Sequence, residues 1–441
     1  MNYGRSHRNP SVMPQNFPIV VIGAGFGGLQ TAKSLASSGK EVLLIDRNNY
    51  HTFVPLLYQV ATGQLKPEYI AYPVRTILRR ARHCHFLMAE VEEIDFSGRV
   101  IRTDKLDIQY DYLVLATGSK TQYLEVAEAA EFALPMRTLV EAVTLRNRIF
   151  SCFEAASRLE LPSLQPLLTF VIVVGGATGV EIVGAFIELL LTRFRREYPS
   201  LNMREVKLIL LQSGDRLLPE FPPKLGRVAQ KYLQKLEVDV RLQTRVKRVS
   251  ATEVYLADGP TISTATVIWA AGLSAAIPNL SEELLKATKG KLRVSLTLQS
   301  LNYPNVYALG DAAYVEKLAE PLSGVAPVAL QQGVAVARNI TRQVRGQKLK
   351  TFRYFNKGRL AIIGCYSGVG KISQWKLTGF LAWIMWLGVH LVYLPELRNQ
   401  LVVLLTWLQT YLLRDRPVRF ILSPHRHFLI TKVVVKSPKH K

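Results

Sequence analysis

A strand, a glycine turn and a helix occur twice in this chain, about 150 residues apart, and that duplication limits the fold more than any other feature. The first copy is Ile19-Val20-Val21-Ile22 followed by Gly23-Ala24-Gly25-Phe26-Gly27-Gly28. The second is Val171-Ile172-Val173-Val174 followed by Gly175-Gly176-Ala177-Thr178-Gly179. A lone G-x-G-x-x-G is a weak signal; between an apolar strand and a helix start it gains meaning. Glycine there lets the backbone approach a pyrophosphate, and the helix end offers free N–H groups and a partial positive charge. Two such turns imply two nucleotides. The common reason to hold two is electron transfer, with a flavin fixed at the first and a nicotinamide passing through the second.

Other residues extend both turns. The strand over residues 41–45 ends in Asp46, about 20 residues past the first glycine turn, where a carboxylate accepts hydrogen bonds from a ribose diol. A solvated loop aspartate is the alternative. The strand over residues 110–115 closes in Ala116-Thr117-Gly118-Ser119, and a segment of similar shape, Val267-Ile268-Trp269-Ala270-Ala271-Gly272, occurs later. Val306-Tyr307-Ala308-Leu309 runs into Gly310-Asp311, followed after a loop by an alanine- and valine-rich helix to about Ile340. Asp311 suits a hydroxyl of a cofactor chain; a helix-cap aspartate is the plain alternative. The predicted fold is α/β: two Rossmann-like dinucleotide-binding domains, the NAD(P)H domain inserted into a discontinuous FAD domain, plus a C-terminal amphipathic helical region that associates with membranes. The expected boundaries are a disordered leader at 1–16, the FAD domain at 17–123 and 292–370, the NAD(P)H domain with connecting helices at 124–291, and the C-terminal region at 371–441.

The 441 residues suffice for two or three domains, and a hydrophobic content of 49% supports real cores. Lys and Arg outnumber Asp and Glu by 56 to 33, a formal charge of +23 that favours an anionic partner. Nucleic acid and an anionic lipid surface both qualify by charge. Nothing resembles a nucleic-acid-binding signature, so lipid is expected and nucleic acid is not. The three cysteines, Cys84, Cys152 and Cys365, form no C-x-x-C pair, which removes a redox disulfide and fits a reducing compartment. The leader lacks the apolar core of a signal peptide. His83-Cys84-His85 is read as structural: neighbouring side chains alternate between strand faces, and no carboxylate or fourth ligand follows at useful spacing, so no metal is expected.

With these pieces in place the chain resembles the type II NADH dehydrogenases, single-subunit FAD-containing NADH:quinone oxidoreductases that pump no protons. The resemblance runs from about Phe17 to about Leu422. Besides the turns it rests on His51-Thr52-Phe53-Val54-Pro55-Leu56-Leu57-Tyr58-Gln59-Val60-Ala61-Thr62-Gly63, Thr178-Gly179-Val180-Glu181, Leu309-Gly310-Asp311, and residues 383–394 leading to Arg398-Asn399. The resemblance implies that Gly23, Gly25, Gly28, Asp46 and Arg47 hold the ADP half of FAD, with Phe26 and Gly27 in the same turn. It implies that the Val91 backbone touches the adenine, that Ala116, Thr117 and Gly118 line the diphosphate, and that Gly310 and Asp311 meet the ribitol. For NADH or NADPH it implies Gly176, Thr178, Gly179, Gln212 and Gly272. Glu181 is implied as the nicotinamide-side carboxylate, with capping of its own helix as the alternative. Gln331 and Gln332 are implied beside the flavin ring and quinone tunnel. Three residues depart from the pattern. Val174 stands where the first glycine of the second turn is expected, altering the tight turn; Pro327 replaces the first glutamine of the quinone segment; Gln212 replaces an acid.

Residues 377–394 contain no formally charged side chain but are marginal in length for a membrane span, and residues 401–413 are too short. Trp383, Trp386 and His390, flanked by Lys376, Arg398, Arg414 and Arg416, fit two amphipathic helices lying in the membrane interface. A buried core helix is the competing reading. The resemblance adds a homodimer formed through the same region. The expectation is a peripheral membrane protein on the cytoplasmic, or equivalent NADH-containing, face that passes electrons to a membrane quinone. Rival readings are a sulfide:quinone oxidoreductase using Cys152 and Cys365, an NADPH-dependent reductase of a naphthoquinone precursor, and a non-enzymatic scaffold with a basic surface.

Overall fold

Apolar runs bounded by glycine, the strongest local pattern in the sequence, become the buried strands of two parallel sheets. The structure, a computed structural model, describes residues 16–159, 164–280, 288–318, 322–413, 416, 418, 420 and 421. The expected leader, apart from Asn16, and everything past residue 421 lie outside the described residues. Contacts divide the chain into one unit of residues up to His51, Pro73–Lys120 and Ser274–Tyr354, and another of Thr52–Tyr72, Thr121–Leu273 and residues from Phe355 on. This division differs from the motif-based boundaries in giving residues 52–72, 121–123 and 355–370 to the second unit and residues 274–291 to the first.

In the first unit, Asn16–Ile22 pairs in parallel with Val42–Asp46 on one side and Asp107–Leu115 on the other. Cys84–Met88 continues the parallel order at the edge, and Val306–Ala308 pairs with the end of Asp107–Leu115. An antiparallel ribbon, Val91–Asp95 and Val100–Thr103, completes the body of the sheet. Val20, Val21, Leu43, Leu44 and Val114 are buried, as strands covered on both faces require. Helix Phe26–Ser37 crosses helix Ala326–Val344 in close contact. A Cβ on Gly333 would come within 2.6 Å of the Gly27 carbonyl oxygen, so small residues set this spacing.

In the second unit five parallel strands run in the order Ala133–Pro135, Thr266–Trp269, Thr169–Val173, Lys207–Leu211 and Asp239–Arg241. Helix Ala177–Leu189 is apolar nearly all round and correspondingly buried. Helix Leu139–Ala156 starts at a capping box, in which the Thr138 side chain accepts from the Glu141 N–H and the Glu141 side chain returns to the Thr138 N–H. A three-stranded antiparallel sheet, Arg359–Gly364, Ser367–Ile372 and Trp375–Thr378, leads into helices Gly379–Tyr393 and Leu397–Leu413.

These last helices correct two sequence-based expectations. Trp383 and Trp386 are buried rather than presented at an interface; Trp407 on the second helix is buried too, its indole donating to Gln59 Oε1 at 2.8 Å. The opposite faces expose Phe380, Leu381, Ile384, Val392, Leu401, Leu405 and Leu412. Arg416 is no surface anchor either. It is 1% exposed, pairs with Glu188 at 3.1 Å, and donates to the carbonyls of Thr62 and Ala185 at 2.9 and 2.8 Å. Arg414 lies outside the described residues. Among the described residues no helix is long and apolar enough to cross a membrane.

Candidate nucleotide-binding turns

The first turn is shaped by three contacts that exclude side chains. Gly23 sits at φ +103°, donates its N–H to Ile45 O at 2.8 Å, and lies so close to the Ala116 carbonyl that a Cβ would collide with it. A Cβ on Gly28 would overlap the Gly23 carbonyl, whereas Gly25 and Gly118 face open space. Gly25 caps helix Phe26–Ser37 without any side-chain hydrogen bond, leaving the helix N–H groups for an anion. Asp46 Oδ2 accepts from the Ala24 N–H at 2.7 Å, and Oδ1 accepts from Asn48 at 2.8 Å. Burial raises the Asp46 pKa, opposed by those two amides and by the Arg47 charge. Arg47 itself is exposed and pairs with Glu90 at 3.7 Å. Half-buried Val91 opens the antiparallel ribbon. The Thr117 hydroxyl is buried with no hydrogen-bond partner among the described residues. Buried polar groups are ordinarily satisfied, so an open cradle with an orphaned hydroxyl fits a dinucleotide such as FAD.

The Gly310–Ala312 turn brings Asp311 to the same unit, where its Oδ2 accepts from the Ser119 hydroxyl at 2.6 Å. Gln332, on helix Ala326–Val344, is buried, and its Oε1 accepts from the Gly310 N–H at 2.7 Å. That glutamine therefore anchors the Asp311 turn. Gln331 precedes it half-buried, and Pro327 occupies the first turn of the same helix, where a missing N–H costs nothing. His51, quoted in the sequence only within a longer motif, has a role of its own here. Burial drives its pKa down to about 4, so the neutral ring donates Nδ1–H to Ala24 O at 2.9 Å and stands edge-on to Phe26.

The second turn repeats the backbone path of the first. Val174 takes φ +108° and donates to Leu211 O at 2.9 Å, and a Cβ on Gly179 would overlap its carbonyl. The expected alteration of the tight turn is therefore absent: the valine adopts the glycine conformation. Gly176 caps the helix as Gly25 does, with φ −72° in both. Thr178 lies exposed in the first helical turn. Gln212 Oε1 accepts from the Gly175 N–H at 3.0 Å, the place that Asp46 fills in the first turn. Its Nε2 lies over Gly214, 3.0 Å from where a Cβ would stand there. Gly272, at φ +63°, follows the neighbouring strand as Gly118, at φ +71°, follows its own.

Glu181 does not cap its helix. It is buried, and Oε1 accepts from the Ile362 N–H at 3.4 Å. Burial pushes its pKa up to about 8, so the carboxyl carries a proton at neutral pH. Seven residues on, along the same helix face, burial raises Glu188 to about 7 against the opposing charge of Arg416.

His83 and His85 both contact Glu41, at 2.6 and 3.0 Å, a carboxylate far upstream in the sequence rather than one that follows the pair. Among the described residues no group of three or more His, Cys, Asp or Glu could hold a metal ion. All three cysteines are free thiols; Cys152 is buried against Thr266, and burial raises its pKa, which suits a structural role.

A profile of the family described as pyridine nucleotide-disulphide oxidoreductase matches residues 17–333. The type II NADH:quinone oxidoreductase Ndh of Mycobacterium tuberculosis is 35% identical over 417 residues, covering 90% of this chain and 89% of its own. The type II NADH:quinone oxidoreductase of Staphylococcus aureus is 28% identical over 378 residues, covering 82% and 91%. In fold, the chain is similar to NDH2 from Plasmodium falciparum, solved with NADH, at TM-score 0.85 and 19% identity over 92% of this chain and 100% of that one. The sulfide:quinone oxidoreductase of Aquifex aeolicus reaches TM-score 0.70 at 19% identity over 87% and 92%. Identity at this level across nearly the whole of both chains, together with the doubled nucleotide turn, means that the chain belongs to the pyridine nucleotide-disulphide oxidoreductases and, within them, to the type II NADH:quinone oxidoreductases.

Proposed function

We propose that this chain oxidises NADH and reduces a quinone, with the balance NADH + H⁺ + quinone → NAD⁺ + quinol. The observation that carries the reading is the pair of turns with one backbone path, each tied by a strand-end side chain to its second N–H, in a member of this family. Bound FAD supplies the two-electron chemistry that links nucleotide to quinone. In this reading the first unit is the flavin domain. Gly23, Gly25 and Gly28 admit the diphosphate, Thr117 and Gly118 line it, Asp46 takes the ribose diol and Asp311 the ribitol. The five-stranded sheet of the second unit holds the nicotinamide nucleotide, with Glu181 as a neutral acid orienting the carboxamide. Gln331 and Gln332 line the ring and the quinone path. Gln212, which offers an amide in place of a charge, favours use of NADPH beside NADH.

The exposed apolar faces of the two C-terminal helices support docking on an anionic membrane from the side that holds NADH, with two copies pairing through the same region. Each leucine or phenylalanine transferred from water contributes roughly 1.5–3 kcal/mol, against about 1 kcal/mol per basic residue near an anionic surface. High salt should therefore weaken sedimentation with anionic vesicles without abolishing it, and the detergent-released protein should run as a dimer. The decisive test is optical. NADH added without oxygen should bleach the yellow absorption of the purified protein, and a short-chain quinone should restore it. Protein that releases no FAD on denaturation, or keeps its colour under excess NADH, would overturn the reading.

A further inference from the structure

We infer that Val174 sets how loosely the second turn holds its nucleotide, acting as an apolar wedge at the crevice between the ends of Thr169–Val173 and Thr266–Trp269. The inference rests on the reading of this turn as the nicotinamide-nucleotide site. A β-branched residue at φ +108° is a genuine outlier, because its Cβ crowds the neighbouring backbone. The first turn shows what that Cβ meets: at Gly23 it would collide with the Ala116 carbonyl and reach 3.2 Å from the Thr117 Cα. In the second turn the Cβ is present and carries two methyl groups. The residue matching Ala116 is Ala270, since each donates its N–H to the last strand residue before the turn. That bond measures 2.9 Å from Ala116 to Ile22 O and 3.2 Å from Ala270 to Val173 O. Val174 is half-buried and packs against the apolar cluster that contains Trp269 and Ala271.

The position of this side chain gives it consequence. The sheet runs from Thr169–Val173 to Lys207–Leu211 on one side and has Thr266–Trp269 on the other, so the crevice is the point where strand order reverses. Ligands of open parallel sheets lie over that point, with the pyrophosphate against the glycine turn. A glycine there lets the two strand exits close into a floor of backbone. A valine holds them apart and presents methyl groups to a charged ligand, in a conformation that costs energy to keep. A cofactor meant to stay needs the closed floor; a substrate that leaves at every turnover is served by the wedged one. Val174 takes no part in the chemistry, so its effect falls on binding and KM and not on kcat.

The test is calorimetric titration of NAD⁺ into flavin-loaded wild type, Val174→Gly and Val174→Ala. Val174→Gly should bind NAD⁺ roughly five-fold or more tightly, the factor to which about 1 kcal/mol converts. Val174→Ala, which keeps the Cβ, should fall between, and KM for NADH should follow the same order while kcat does not rise. Thermal unfolding reports whether the variants fold. Val174→Gly should melt no lower than wild type, since relief of strain offsets the added freedom of glycine in the unfolded chain. Val174→Gly that folds and binds NAD⁺ no more tightly than wild type overturns the inference and leaves the function standing. Flavin-loaded wild type and variants that all fail to bind NAD⁺ overturn the reading of the second turn, and the inference with it.

Discussion

The two turns share a backbone and differ in chemistry at two places. Gly23 and Val174 occupy the same left-handed position and donate to the same carbonyl of the next strand, at 2.8 and 2.9 Å. Asp46 and Gln212 stand at the same strand end and accept from the second N–H of their turns, at 2.7 and 3.0 Å. The hydrogen bonds therefore fix the path even where the glycine is lost. What the side chains present to a ligand is a separate matter. Asp46 offers acceptors and a negative charge. Gln212 spends its acceptor on the turn and keeps a donor.

The larger expected effect concerns that donor. A carboxylate at position 212 would hold a ribose 2′-hydroxyl and repel a 2′-phosphate, and hydrogen bonds to charged groups contribute roughly 1.5–3 kcal/mol. Gln212→Glu should therefore raise the ratio of kcat/KM for NADH over NADPH by about one to two decades. Strict rejection of NADPH by the wild type would break this side of the comparison.

A smaller effect concerns Glu181, which has no counterpart in the first turn. Its folded pKa of about 8 lies above the ordinary carboxyl value of 4.5, so the folded state binds the proton more tightly than the unfolded one. The stability this contributes is complete below about 4.5 and is lost as pH rises through about 8. Glu181→Gln, neutral at every pH, should gain stability relative to wild type across that window. Denaturant melts at several pH values read the difference, and parallel curves would show that the carboxyl is ionised in the folded protein.

Much of the site was legible because it rests on local grammar. Apolar strand, glycine turn and helix start are adjacent in sequence, and Asp46 and Asp311 follow strands at a readable spacing. The parts that were not legible depend on partners far along the chain. Arg416 reads as a basic flank of an apolar run, yet it is buried against Ala185, Glu188 and Thr62. The tryptophans of the C-terminal helices have the composition of a membrane belt, but Trp407 is held by Gln59, 348 residues away. His83 and His85 are two residues apart and thus on one strand face, a periodicity that could have been read; Glu41, which lies between their rings, could not. Nor does sequence report backbone angles, so Val174 looks like a broken motif where the structure has an intact turn under strain.

On the proposed reading the first turn retains its nucleotide and the second releases it. Protein loaded with both FAD and NAD⁺ and then dialysed to equilibrium tests this directly, with Gly23→Val carrying the valine of the second turn into the first. The wild type should keep one FAD per chain and lose its NAD⁺, and Gly23→Val should bind FAD more weakly and emerge with part of its flavin lost, because its Cβ would crowd the Ala116 carbonyl. A wild type that loses FAD as readily as NAD⁺, or a folded Gly23→Val that keeps its full flavin, would contradict the account.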